Sequence, residues 1–161
     1  MEISKHITYK EATKSVTASR LDIDNTPNDD QVLNMIEVSE KVFEQVRAGL
    51  GGHPIKVNSF FRSPELNISI GGAISSQHCK GEAIDLDNDE KWPTNKTIFR
   101  FIKDNLTFDQ LISEFPDTAG EPAWVHVSYK RTGKNRGEVL ESYRDGGIKY
   151  RIYGTTDRSS T

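Results

Sequence analysis

The sequence contains a single cysteine, Cys79, so no intrachain disulfide can form and nothing points to folding in an oxidising compartment. No apolar run approaches the ~20 residues that span a bilayer, so a membrane-spanning helix is not expected. A basic excess is missing too. Lys and Arg number 21 against 24 Asp and Glu, a net charge of −3, which argues against nucleic-acid binding as the main task. There is no internal repeat and no interdomain linker. The remainder, 161 residues with 34% hydrophobic and 28% charged content, suits one soluble globular domain with one core. Met1 to His6 lacks the charged and apolar regions of a signal peptide, so synthesis in the cytoplasm is expected.

Patterning along the chain indicates mixed α and β structure. Residues 1–24 are polar with scattered apolar side chains (Ile3, Ile7, Tyr9, Val16, Leu21, Ile23) and read as an N-terminal arm with a short helix. Thr26 as N-cap and Pro27 at the first position would open a helix. Its apolar stripe of Val32, Ile36, Phe43, Val46 and Leu50 ends at Gly51-Gly52. Residues 55–61 form a strand candidate that delivers Arg62, and Ser63-Pro64 restarts a short helix that Gly71-Gly72 stops. A second amphipathic helix follows Thr94-Asn95 through Ile98, Phe101, Ile102 and Leu106. Residues 110–115 and 124–129 look like the arms of a hairpin, residues 139–153 offer an edge strand, and residues 155–161 read as a disordered tail. One domain over residues 1–154 is expected.

Two stretches carry chemistry. In the first, His78 precedes Gly81, and residues 83–87 alternate apolar and polar so that Asp85 faces away from Ile84 and Leu86. In the second, period two puts Trp124, His126 and Ser128 on one face. Imidazole and carboxylate suit a borderline cation, and a catalytic zinc takes three protein ligands with one position open for water. His78, Asp85 and His126 can supply those three. Cys79 reads as a small packed side chain, and Asp87, Asp89 and Glu90 as a solvated turn without calcium-loop spacing. Trp92-Pro93 belongs either at the site's rim or on the core.

Taken together, Ser75-x-x-His78, Gly81-x-Ala83-x-Asp85 and Trp124-x-His126-x-Ser128 resemble the M15 group of zinc D-Ala-D-Ala peptidases, in particular the phage and prophage type. Residues 59–67 are similar to that group's S-G-Y-R-S-P-x-x-N, with Phe60 where Gly is usual, and residues 108–114 match F-D-Q-L-I-x-E. Phe60 is expected to alter the turn before Arg62 and to leave the metal site alone. The resemblance implies an α+β fold of the M15/hedgehog-like kind, a small antiparallel sheet with helices packed on one side and a zinc site on the sheet.

It further implies a peptidase that hydrolyses peptidoglycan stem or cross-bridge peptides, with one Zn²⁺ on His78, Asp85 and His126. Such an enzyme would serve lysis, acting on the cell wall after release or as a virion component, with other virion proteins as candidate partners. The competing reading is a wall-binding or virion structural module that keeps the zinc fold without turnover. Many M15 members carry the catalytic acid three residues before the second His, a position that is Ala123 here. The phage-type pattern points to Glu114 instead, with Glu121 as second choice. An even-sum hairpin register would bring Glu114 to the His126 side, but sequence does not fix it. Arg62 would bind a substrate carbonyl or carboxylate, and Gln77 and Ser128 are candidates for substrate or supporting hydrogen bonds.

Overall fold

In a computed structural model, residues 1–155 are described; the expected tail from residue 156 onward lies outside them. The strands are β1 (Glu2–Ser4), β2 (Ile7–Thr8), β3 (Val57–Ser59), β4 (Ala83–Leu86), β5 (Gln110–Glu114), β6 (Trp124–Ser128), β7 (Glu138–Arg144) and β8 (Ile148–Ile152). The helices are α1 (Tyr9–Thr13), α2 (Val16–Arg20), α3 (Asp29–Val38), α4 (Glu44–Gly49), α5 (Pro64–Ser69) and α6 (Asn95–Asn105). β1 and β2 form a small hairpin, and the other six make one sheet in the order β3-β4-β6-β5-β7-β8. All neighbours in that sheet are antiparallel except β5 and β7. The architecture is the expected α+β one.

Alternation along the strands gives the sheet two unlike faces. Ile84, Leu86, Leu111, Val125 and Val127 point to one side and are buried against Met35, Val38, Val42, Ile98, Phe99 and Ile102 of the helical layer. Asp85, Ile112, Glu114 and His126 point to the other side, which among the described residues no long helix covers. α3 and α4 run on through a π-helical turn at Ser39–Phe43. Met35, Val38, Val42, Phe43 and Val46 are in the core while Val32 and Ile36 sit at its margin.

Three local expectations shift. The N-cap of α3 is Asn28, two residues beyond Thr26, because Asn28 accepts from the Gln31 N–H while the Gln31 side chain bonds back to the Asn28 N–H. Residues 1–24 form a hairpin and two short helices, with Ile3, Ile7, Ala12 and Ala18 buried and Ser4 bonded to Glu44. Residues 139–153 contribute two strands. β7 inserts beside β5 and β8 takes the edge, and the chain then packs Tyr153 on Phe99 of α6 at 4.8 Å between ring centroids.

Candidate metal centre

β4 and β6 pair so that Asp85 stands opposite His126, and β5 places Ile112 beside His126. His78 comes from outside the sheet, on a single 3₁₀ turn (Gln77–Lys80) that Ser76 caps. Gly81 ends that turn at φ 73°, and a Cβ there would lie 2.4 Å from the Gln31 carbonyl oxygen of α3. Only glycine fits both the angle and the approach, so the turn is pressed onto α3 just before β4 begins. The result is convergence: His78, Asp85 and His126 each offer a ligand atom, all within 4.8 Å of one another. Asp85 Oδ1 is 3.2 Å from His78 Nε2 and 3.0 Å from His126 Nδ1.

The hydrogen bonds decide what this cluster lacks. His78 Nδ1 lies 2.6 Å from the Phe60 carbonyl oxygen, which can only accept, so Nδ1 carries the proton. Burial pushes the imidazole pKa down against the pull of Asp85, favouring the neutral ring. Its Nε2 lone pair is then fully buried without a hydrogen-bond partner and faces a carboxylate oxygen. Burial works against ionising Asp85 as well, but the two imidazoles hold its carboxyl well below the usual range. Two opposed lone pairs at this distance need a cation between them. The donor set fits a metal ion with one carboxylate and two imidazole ligands.

Phe60 acts on both the turn and the site, where sequence alone points only to the turn. Its ring is buried in the core, while its carbonyl orients His78, and the Arg62 N–H bonds the His78 carbonyl at 3.2 Å. The segment before Arg62 is thus stitched to the ligand turn. Arg62 Nη2 reaches Asp85 Oδ2 at 3.2 Å, with Nε on Ser59 Oγ and Nη1 on Asn67 Oδ1.

Glu114 stands opposite Trp124, on the His126 face, as the even-sum register requires. It is buried. Ser142 donates to its Oε2, and among the described residues its other oxygen has no partner. Burial raises the Glu114 pKa, against the Ser142 bond and the nearby His126 and Arg62, with Asp85 adding to the rise. Glu121 is elsewhere: its Oε1 accepts from the Lys96 N–H at the start of α6, and it does not line the cleft.

Ser128 requires a correction. It is fully buried, and its hydroxyl accepts from the Gln110 N–H, so no substrate reaches it. Gln77 does line the cleft, but its amide nitrogen is held by Asp109 at 3.0 Å. Trp92 is exposed and outside the cleft. Two contributors had no signal in the sequence, the Phe60 carbonyl and Ser142; Asp109 lies in the 108–114 pattern, but its ion partners Lys130 and Arg136 do not.

The residues converge in an open cleft of about 800 Å³ that Arg62, His78, Asp85, Glu114 and His126 all line. The family model for Peptidase M15 matches residues 5–128, most of the chain and every element that bears a ligand. The chain belongs to the M15 peptidase family. No curated protein matches it closely enough for comparison. In this M15 peptidase the family match stops at the end of β6, so β7 and β8, which supply Leu140, Arg144, Ile148 and Tyr150 to the cleft, lie beyond it. None of the helices described is long and apolar enough to cross a membrane.

Proposed function

We propose that this M15 peptidase is a zinc enzyme that hydrolyses stem or cross-bridge peptides of peptidoglycan, as a D-Ala-type carboxypeptidase or endopeptidase in the manner of phage and prophage lysis enzymes. Made in the cytoplasm, it would reach the wall on release or as part of a virion. One observation carries the metal assignment: the unpartnered Nε2 of His78, aimed at Asp85 beside His126.

His78, Asp85 and His126 would hold the ion. Bound zinc supplies a Lewis acid and brings the pKa of a coordinated water to about 7. Glu114 takes the proton of the attacking water on its free oxygen and passes it to the leaving amine, while Ser142 fixes the other oxygen. Its raised pKa suits a group that must both accept and return a proton. Arg62, anchored by Ser59, Asn67 and Asp85, presents its remaining N–H donors to the oxygen on which negative charge develops. Water adds across the amide, giving a carboxylate and a free amine.

The test is digestion of purified muropeptides with and without a chelator, read by mass spectrometry. Chelator-sensitive cleavage restored by zinc supports the proposal, and the masses name the bond. Stoichiometric zinc without cleavage would replace it with the wall-binding module.

A further inference from the structure

The cleft is cationic out of proportion to the molecule. Arg62, Lys80, Lys130, Arg136 and Arg144 line it against Asp85 and Glu114, while the whole chain carries a net charge of −3. Three of these cations are engaged, Arg62 on Asp85 and both Lys130 and Arg136 on Asp109. Among the described residues Lys80 and Arg144 have no carboxylate partner.

Arg144 is the more constrained of the two. Its guanidinium carbon sits 4.3 Å from the centroid of the Phe115 ring, which packs in turn on Trp124 at 5.4 Å. Phe115 reaches this position at φ 46°, a left-handed angle that bulky residues rarely adopt, with its N–H bonded to Ser142 Oγ. Stacking fixes the plane of the guanidinium and leaves its edge donors for a planar acceptor. Arg144 also shares a strand face with Ser142, which holds Glu114, and two residues along a strand is roughly 7 Å. Ile148, opposite Arg144, and Tyr150, opposite Ser142, wall the same end of the cleft.

We propose that Arg144, seated on Phe115, forms a carboxylate-binding subsite that selects an anionic residue of the peptide substrate about two residues from the bond that is cut. The subsite rests on the peptidase reading above and adds a specificity determinant from the strands that follow the family match. The Phe115 ring backs the guanidinium on one side, and the fork geometry separates a carboxylate from its neutral amide.

The test uses synthetic stem peptides in which each carboxylate in turn is replaced by a carboxamide. Binding is measured by calorimetry on the zinc-loaded Glu114→Gln protein, and cleavage on the wild-type protein. One position should show a carboxylate preference of about 10- to 100-fold in both assays. That preference should fall to near unity in Arg144→Gln and survive in part in Arg144→Lys, which keeps the charge and loses the fork. No preference at any position, or a full preference in Arg144→Gln, overturns the subsite. Failure of the peptidase reading has a different signature: no stem is cut, while the calorimetric preference still reports on Arg144.

Discussion

Two buried aspartates invite comparison. Asp85 is almost inaccessible and Asp109 completely so, each is ringed by nitrogen atoms, and each is more acidic than a free aspartate. Around Asp109 every neighbour brings a proton. Arg136 donates from its backbone N–H, Nε and Nη2, Gln77 from its amide, and Lys130 approaches to 3.6 Å. Around Asp85 only Arg62 is an unconditional donor, and the His78 nitrogen that faces it has already lost its proton to the partner side of the ring. Electrostatic perturbation is common to both. What separates a metal site from a structural ion cluster is the unsatisfied lone pair, because a fold that merely needed a buried carboxylate would satisfy it as Asp109 is satisfied.

The widest separation between the two should come from removing each carboxylate. Asp85→Ala should abolish stoichiometric zinc, measured by atomic absorption, and lower peptide hydrolysis by at least about 10³-fold, since a catalytic ion contributes several kcal/mol to the barrier. Retained zinc in that variant would put the ion elsewhere. Next in size is the acid. Glu114→Gln should keep zinc and lose about 10²- to 10⁴-fold in kcat, whereas Glu121→Gln, altered only at the start of α6, should stay within about twofold. The reverse ranking would move the proton transfer to Glu121.

How much of this was legible without coordinates follows from the range of each interaction. The three ligand candidates could be named because each sits in a short pattern of residue type and spacing, and β6 alternates polar and apolar residues along its length. Glu114 was half legible: its strand face follows from period two, but its register against β6 depends on a loop whose length fixes nothing. The Phe60 carbonyl was invisible, since backbone acceptors leave no residue code and the bond spans 18 positions. Ser142 was invisible for another reason. It reaches Glu114 only because β7 docks parallel to β5, a long-range pairing that the sequence between 129 and 137 does not announce. Ser128 misled because it shares a face with His126, and period two says which side a residue points to, not whether that side is open.

Asp109→Asn supplies the other half of the comparison, with an effect on stability instead of metal. Burial alone would raise this carboxyl, yet the bonds from Arg136 and Gln77 bring it from 3.8 to about 2. A depressed pKa gives stability that is full above about pH 4 and fades as pH falls toward 2. The asparagine variant should unfold about 1–3 kcal/mol more easily at pH 7, with a Tm lower by about 2–4 °C per kcal/mol, and should keep its zinc. A gap between variant and wild type that does not narrow as the pH drops from 4 to 2 would deny the ion cluster its stabilising role.

The smallest and most discriminating effect belongs to Ser142→Ala. Its hydroxyl bond is one of the forces that lower the Glu114 pKa against burial, so without it the carboxyl rises further. As the proposed proton acceptor, Glu114 must be ionised to act. The acid limb of the kcat profile should therefore lie above the ordinary 4.5 in the wild-type protein and move to still higher pH in the variant. At saturating pH the loss should be only about 1 kcal/mol of positioning, a factor of about five in kcat. An acid limb that ignores the substitution would mean that the group titrating there is a different one, and Glu114 would lose the proton-transfer role proposed for it.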